Sequence, residues 1–179
     1  MDLDKCLKER RSVRAYLDKD IEFEKLTKVL DSARYTPSSG NIQNFGFIIV
    51  KDKKKRTDIA TACLKQYWMM DAPVYIVICN KLEKIKRFYG SRGELIYSSQ
   101  NCAAATENIL LKAHSLNLGT CWVGAFDEDA IKRILRIPQD IKVEAIITLG
   151  YPKETEELPY KYPLENITFF EEWGNTKKS

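Results

Sequence analysis

The sequence is poor in the residues that most metal and redox centres need. His114 is the single histidine among 179 residues, which excludes a multi-histidine metal site within one chain. The five cysteines lie at least sixteen residues apart and form no C-x-x-C pair, which argues against zinc ribbons, iron–sulfur ligation and thioredoxin-like redox chemistry. His114 stands inside a predicted helix with no partner in view, so we interpret it as a packed or surface residue and not as a catalytic base.

Several common motifs and long apolar runs are also missing. The sequence contains no G-x-G-x-x-G, no G-x-x-x-x-G-K-[ST] and no G-x-S-x-G. The longest apolar stretches, 45–50 and 74–79, are far shorter than the roughly 20 residues of a membrane span. The first residues show no basic segment followed by an apolar one, so we expect no signal peptide, no membrane contact and a cytoplasmic location.

Composition and periodicity predict a single α+β or α/β domain over residues 1–179. Hydrophobic residues make up 44% of the chain, which at this length supplies a core without disulfides. Apolar spacing predicts alternating helices and strands, with an extended, turn-rich arm over 151–179. The predicted helices cover 3–10, 23–33, 57–66, 94–116 and 127–135, and the predicted strands cover 45–50, 74–79, 120–123 and 143–149.

A basic cluster near the start of the chain is the first candidate for chemistry. Arg10, Arg11 and Arg14 surround the hydroxyl of Ser12, and planar guanidinium groups are suited to clamp a phosphate. The alternative is a basic helix end whose cations complement the helix dipole in solvent. The net charge of +4 suits an anionic ligand, but the basic run 51–56 lacks interleaved aromatic residues and is read as a solvated turn, so nucleic acid is not expected.

Two further stretches present polar or small groups beside predicted strands. Residues 37–44 offer two hydroxyls and three amide side chains, which suit the polar edge of an aromatic ring, or they form an ordinary connecting loop. In residues 118–126, Gly119 and Gly124 allow close approach of the backbone to a ligand, or they belong to a tight strand next to a helix-capping glycine.

In combination, these stretches resemble the FMN-dependent nitroreductase family. The resemblance is carried by Arg-Arg-Ser-Val-Arg, Pro-Ser-Ser-Gly-Asn-Ile-Gln-Asn, Asp-Ala-Pro before a strand, and Gly-Thr-Cys-Trp-Val-Gly-Ala-Phe before a helix, and it covers about residues 7–164. It implies a three-layer α/β/α fold with a mixed, mostly antiparallel sheet flanked by helices. It also implies a homodimer with FMN at the subunit interface and a C-terminal arm exchanged between subunits.

The resemblance assigns flavin-binding roles to particular residues. Arg10 and Ser12, with Arg11 beside them, would hold the phosphate, and Arg14 would face the ribityl chain and the N1/O2 edge of the ring. A loop from the other subunit, comprising Pro37, Ser38, Ser39, Asn41 and Gln43, would contact the dimethylbenzene and ribityl parts. Gln66 would approach the pyrimidine edge, a backbone amide at Gly124–Ala125 would reach N5 or O4, and Lys161 of the arm would reach the phosphate.

The activity implied by the resemblance is hydride transfer from NAD(P)H through flavin N5 to a nitroaromatic, a quinone or a similar small acceptor. The two substrates would use the same flavin face in turn, in a ping-pong sequence without an acid–base side chain in the first half-reaction. The alternatives are a non-catalytic FMN carrier and a specialised flavin reductase that uses another electron donor. The arm carries only Lys161 before Pro-Leu-Glu, where the family usually has a denser basic run.

Overall fold

The computed structural model describes residues 1–154 and 157–177. Its helices are α1 (Leu3–Glu9), α2 (Phe23–Ser32), α3 (Lys53–Ala62), α4 (Leu82–Arg92), α5 (Ser98–Ser115) and α6 (Glu128–Leu135). Its strands are β1 (Phe45–Val50), β2 (Val74–Lys81), β3 (Gly119–Val123) and β4 (Ile141–Gly150). Short helical turns at Ala33–Tyr35, Ser39–Asn41, Tyr67–Asp71, Gly93–Tyr97 and Leu164–Asn166 lie between or after these elements.

The four strands form one sheet in the order β1-β2-β4-β3, and each adjacent pair is antiparallel. Strand β2 is central and buried along all but its last residue. Strands β1 and β3 lie at opposite edges of the sheet. A parallel bridge between Ser12 and Thr120 extends the sheet beyond the β3 edge.

The two faces of the sheet each carry a hydrophobic core, which makes the fold three-layered. Side chains alternate along β2, so Ile76 packs with helices α2 and α5 on one face, whereas Val77 packs with α3 and α6 on the other. Helix α5 fits closely because small residues such as Ala105 and Ala113 face the sheet. The α+β class, the three layers and the mostly antiparallel sheet predicted from the sequence are thereby confirmed.

The strand predictions agree with the structure more closely than the helix predictions. Strand β1 has the bounds predicted for it, although it is an edge strand whose middle residues are only half-buried, not the fully buried strand expected. The helix predicted over 57–66 is wrong by four residues at each end. Asp52 caps the true helix by accepting a hydrogen bond from the Lys55 amide at 2.8 Å, so the basic run is the start of α3 and not a turn.

Helix α4 was not predicted, and the start of α5 differs from its predicted position. Gly90 has a φ of +54° within α4, and this glycine interrupts the periodicity that would have indicated a helix. The long helix was predicted to begin at 94, but α5 begins at Ser98, and a π-helical turn over Gly93–Tyr97 precedes it. Asn117 adopts the left-handed conformation just after α5, whereas Gly119, considered above as a helix-capping glycine, lies in β3.

The arm beyond β4 differs from the rest of the chain in its exposure. Across residues 157–177 no residue is buried, and Trp173 is 92% exposed. Its large apolar side chains face solvent: Leu158, Tyr160, Tyr162, Leu164, Ile167 and Trp173. Within the described parts of the chain, none of the helices combines the length and hydropathy that crossing a membrane requires.

The core cysteines predict a loss of stability at alkaline pH. Burial raises the pKa of the Cys63 and Cys102 thiols to about 12 and that of Cys79 to about 11. Above the ordinary thiol pKa of about 8.5 the unfolded chain loses these protons but the folded chain keeps them, so the free energy of unfolding falls as pH rises. Urea titrations at pH 8 and pH 10 measure the fall, and Cys63→Ala should make it smaller. An unchanged pH dependence in that variant would contradict the assignment.

Candidate functional site

The basic cluster runs alongside the edge of β3. The Val13 amide donates to the carbonyl of Thr120 at 2.9 Å, and the Val13 side chain is buried in the core. Because side chains alternate along an extended chain, burial of Val13 leaves its neighbours Ser12 and Arg14 pointing away from the core. A single inward valine therefore fixes the outward direction of the functional residues on either side.

A cleft of about 670 Å³ opens over this segment. The residues that line it come from the end of α1, the basic cluster and the arm: Leu7, Lys8, Arg10, Arg11, Ser12, Arg14, Glu157, Leu158, Pro159 and Lys161. Five of these carry positive charge and one carries negative charge. A cleft with this imbalance attracts anions, because its walls focus the field of the cations. The structure thus brings Lys161 to the same cleft as the N-terminal arginines.

The donors in this cleft fit a phosphate. The Nη1 of Arg11 donates to the carbonyls of Lys8 and Arg10 at 2.7 and 2.8 Å. Its Nε is buried and finds no acceptor within residues 1–154 and 157–177. The Nε of Arg10 lies 3.8 Å from a carboxylate oxygen of the half-exposed Glu107, which is too long for a tight ion pair. Buried donors are normally satisfied, so the unpaired Nε favours an anionic ligand here.

A second group of predicted residues meets beyond Arg14. The guanidinium carbon of Arg14 lies 5.8 Å from the centroid of the Trp68 ring, within cation–π distance. Gln66, two residues before this tryptophan, donates from Nε2 to the carbonyl of Ala125 at 3.3 Å. The structure therefore joins Gln66 to the turn after β3, and Trp68 connects that region to the basic cluster. The sequence analysis did not single out Trp68 or Lys8.

Gly124 and Gly119 differ in what their missing side chains would contact. A Cβ on Gly124 would have no atom within 4 Å, and its φ lies outside the left-handed region, so nothing among residues 1–154 and 157–177 requires glycine there. A Cβ on Gly119 would lie 2.9 Å from three carbon atoms of Val13. Gly119 is thus required by the packing of the basic segment, whereas Gly124 leaves open space for a ligand.

These contacts predict opposite effects of two alanine substitutions. Gly124→Ala should leave the melting temperature within about 2 °C of the native value and weaken binding of a ligand that contacts this backbone about tenfold. Gly119→Ala should destabilise the protein by about 1–3 kcal/mol, because Val13 must move. Thermal unfolding and ligand titration of both variants provide the comparison. Equal ligand affinity in Gly124→Ala and the native protein would exclude a backbone contact at this turn.

The predicted loop 37–43 lies far from the cleft in the same chain. None of its predicted site residues, Pro37, Ser38, Ser39, Asn41 and Gln43, lines the cleft. The loop leads into β1 at the end of the sheet where Lys142 of β4 lies. Ser12 lies beside β3, the strand at the opposite edge, at the end of the sheet where Leu149 of β4 lies. Lys142 and Leu149 are seven residues apart along β4, which corresponds to roughly 23 Å at about 3.3 Å per residue. Within one chain, the loop and the cleft are therefore separated by about this distance along the strands.

Buried amides hold this loop, and the sequence analysis missed them. Asn101 of α5 accepts hydrogen bonds from the amide and hydroxyl of Ser39, at 3.0 and 3.3 Å. Asn44 donates to Asn80 at 2.7 Å. The signal available in the sequence was a polar residue at a core-facing position of a helix, since Asn101 stands beside Cys102 and four residues before Ala105.

His114 lies behind the cleft and not in it. It borders a smaller cavity of about 200 Å³ that shares Arg10 and Arg11 with the cleft. Burial lowers the pKa of His114, and the two arginines lower it further, against an opposing effect of Glu9. Within residues 1–154 and 157–177, no three histidine, cysteine or acidic side chains lie together as metal ligands would.

Comparisons with known proteins agree with the resemblance. The sequence model of the Nitroreductase family matches residues 7–68 and 60–151. A protein of Archaeoglobus fulgidus, provisionally named an NADH dehydrogenase/NAD(P)H nitroreductase, is 35% identical over 162 residues, which cover 87% of this chain and 90% of that protein. The FMN reductase [NAD(P)H] of Bacillus subtilis is 23% identical over 184 residues, covering 96% of this chain and 74% of the relative.

A solved structure gives the same result for the fold and the sequence together. The FMN-dependent nitroreductase from Clostridium difficile R20291 superposes with a TM-score of 0.82 at 30% identity, covering 95% of this chain and 99% of the other. The match extends along almost the whole of both chains. The chain belongs to the nitroreductase family.

Proposed function

We propose that this protein is an FMN-dependent oxidoreductase that transfers hydride from NAD(P)H to nitroaromatics, quinones or similar small acceptors. Membership of the nitroreductase family and relatives named for FMN and NAD(P)H support the cofactor and the donor class. The single structural observation that carries the proposal is the cleft in which Arg10, Arg11, Ser12 and Lys161 meet. We further propose a ping-pong order, in which the donor leaves before the acceptor binds.

The basic cleft would hold the phosphate of FMN. Arg10 and Arg11 supply planar donors, the hydroxyl of Ser12 lies between them, and Lys161 closes the cleft from the arm. The buried, unpaired Nε of Arg11 supports this assignment, because an anion would supply the acceptor that it lacks among the described residues. The cleft is open to solvent, so salt screens the charged groups that line it, and we expect the affinity for FMN to fall with ionic strength.

The region beyond Arg14 would bind the flavin ring. Bound FMN supplies a hydride acceptor and donor at N5. Arg14 carries the positive charge suited to the N1/O2 edge, where reduction places negative charge. Gly124 and Ala125 are exposed, a Cβ on Gly124 would have no atom within 4 Å, and Gln66 donates to the carbonyl of Ala125. These residues would bind and orient the ring, and the first half-reaction, hydride transfer from the nicotinamide to N5, needs no acid or base from the chain.

The site would be completed by a second copy of the chain. The loop 37–43 is too far from the cleft of its own chain, so its exposed residues Asn41 and Gln43 would serve the cleft of a partner. The arm supports a dimer as well, since its exposed apolar side chains cover no core of their own. We therefore propose a homodimer that exchanges its arms, has two shared flavin sites and resides in the reducing cytoplasm, where the five buried cysteine thiols remain reduced.

An absorption spectrum of the purified protein tests the proposal. Flavin bands that bleach on anaerobic addition of NADH or NADPH, and return when a quinone or nitroaromatic is added, are the expected result. Bands that persist with both nucleotides would favour the alternatives, a flavin carrier or a reductase with another donor. A colourless protein that takes up no added FMN would refute the function, and salt-dependent binding of DNA or RNA by that protein would instead indicate the nucleic-acid-binding domain that the sequence disfavours.

A further inference from the structure

A continuous line of hydrogen bonds connects strand β4 to the loop 37–43. Ser39 donates from its amide to Oδ1 of Asn101 at 3.0 Å, and Asn101 donates from Nδ2 to Oδ1 of Asn44 at 2.7 Å. Asn44 then donates to Oδ1 of Asn80 at 2.7 Å, and Asn80 donates to Oε1 of Glu144 at 2.6 Å. We call these three asparagines and Glu144 the amide relay. It links four separate segments of the chain.

The relay has one direction throughout. Each carboxamide accepts on the side of the loop and donates on the side of Glu144. An ionised carboxylate accepts hydrogen bonds and donates none, so it requires the Nδ2 of Asn80 to face it, and this choice fixes the orientation of the next two amides. Asn44 and Asn80 are fully buried and Asn101 almost so, which makes any reversed amide costly. The Nδ2 of Asn44 also donates to the carbonyl of Ser98 at 3.2 Å, so this carbonyl and the charge of Glu144 require the same orientation of the relay.

An irregularity in the sheet brings Glu144 to this position. The register between β2 and β4 shifts so that Ile78 pairs with Ala145 and Cys79 pairs with Val143, which leaves Glu144 as the extra residue of a bulge. Bulges redirect a side chain relative to the regular alternation of a strand. Glu144 consequently faces α5, where it also accepts from the hydroxyl of Ser99 at 2.9 Å.

Lys142 holds the same carboxylate from the outer side, with its Nζ 3.1 Å from Oε1 of Glu144. The carboxylate is 13% exposed, whereas Lys142 is 42% exposed. A partly buried carboxylate with three donors stays in place, because charge-assisted hydrogen bonds are stronger than neutral ones. The Glu144 end of the relay is therefore held in a fixed position.

At its other end the relay contacts the loop 37–43, whose backbone conformation is unusual. Gly40, Asn41 and Gln43 all have φ between +52° and +55°. Conformations of this kind persist only where the surroundings determine them, since they cost of order 1 kcal/mol each in a residue with a side chain. The bonds from Ser39 to Asn101 fix the start of this turn, while Asn41 and Gln43 remain exposed.

We propose that the amide relay is a positioning device for the flavin site of the partner subunit. It sets the loop 37–43 so that Asn41 and Gln43 meet the flavin, and Asn101 and Glu144 act through the loop without touching the ligand. This inference rests on the proposed function and on the shared site. The bulge in β4, which lies on the side of Asn80 away from the loop, thereby has the role of placing Glu144 in the relay.

Two substitutions with one matched control test the relay. Asn101→Ala removes the bonds to Ser39 and Asn44, and Glu144→Gln removes the charge at the distant end while keeping the shape of the side chain. The control is Thr106→Ala, also buried on α5, whose hydroxyl donates within its own helix, to the carbonyl of Cys102 at 2.8 Å. Thermal unfolding of all three measures the general loss of stability.

Three further measurements separate positioning from stability. These are the dissociation constant of FMN, the visible circular dichroism of the FMN-saturated protein, and hydrogen exchange of the loop amides. We expect Asn101→Ala to raise the dissociation constant about tenfold and Glu144→Gln about threefold. Both should change the visible dichroism and speed exchange at Ser39. Thr106→Ala should leave all three unchanged, even where its melting temperature falls as far.

Each contrary result overturns a defined part of the proposal. If Asn101→Ala and Thr106→Ala behave alike, Asn101 is merely structural. If Glu144→Gln leaves the loop amides and the dichroism unchanged, the relay does not act over its length. If exchange in the loop accelerates while flavin binding stays native, the loop does not serve the flavin. A native protein that takes up no FMN would refute the proposed function itself, and the exchange data would still show whether the relay holds the loop.

Discussion

Replacing Arg10 by alanine is expected to lower the affinity for FMN about a hundredfold and to leave the affinity for riboflavin unchanged. A bidentate guanidinium–phosphate contact comprises two charge-assisted hydrogen bonds, and losing both corresponds to about 3 kcal/mol, or two orders of magnitude in dissociation constant. Riboflavin lacks the phosphate and therefore has no contact to lose. Titration of the apoprotein with each flavin, followed by fluorescence quenching, measures both affinities.

Arg10 is the better choice for this experiment than its neighbour. The Nη1 of Arg11 donates to the carbonyls of Lys8 and Arg10 at the end of α1, so its removal disturbs the chain as well as the cleft. Arg10 has the weaker attachment, with its Nε 3.8 Å from Glu107. Arg34→Ala removes a surface arginine paired with Asp31 at 2.6 Å and serves as the control. Equal losses for FMN and riboflavin in Arg10→Ala would contradict a phosphate contact.

The sheet could be predicted from the sequence because its strands have a simple composition. Continuous apolar runs such as Val74–Cys79 indicate buried strands, and turn-forming residues mark where they end. The helices on the surface were harder. Helix α3 begins at a side-chain cap on Asp52 with a run of basic residues that shows no apolar periodicity, and α4 contains Gly90 with a positive φ. Local capping and one glycine decided those boundaries.

The candidate site could be predicted only in part. The residue types that recognise a phosphate, such as Arg10 and Ser12, are visible in the sequence, and the structure brings them to one cleft with Lys161. The amide relay could not be predicted, because its members come from four segments and depend on a bulge at Glu144 that no local pattern encodes. The sequence alone also gave no distance between the loop and the cleft. That distance is the reason for placing the two halves of the proposed site on different chains.

A crossed pair of heterodimers tests whether the two halves come from different chains. Arg10→Ala disables the cleft, and Asn41→Glu places a longer, charged side chain on the exposed side of the loop. We expect either variant alone, as a homodimer, to bind little FMN. Coexpression of two differently tagged chains, followed by purification on both tags, isolates the heterodimers. In a symmetric dimer with shared sites, each site combines the cleft of one chain with the loop of the other.

The two arrangements of the same substitutions should then give opposite results. With Arg10→Ala on one chain and Asn41→Glu on its partner, one site joins two native halves, and we expect about one FMN per dimer. With both substitutions on one chain and a native partner, each site contains one altered half, so the dimer should bind almost no FMN. If each chain builds its own site, the first heterodimer is empty and the second holds one FMN. Flavin absorbance per dimer distinguishes the two cases, because the substitutions are the same and only their distribution between the chains differs.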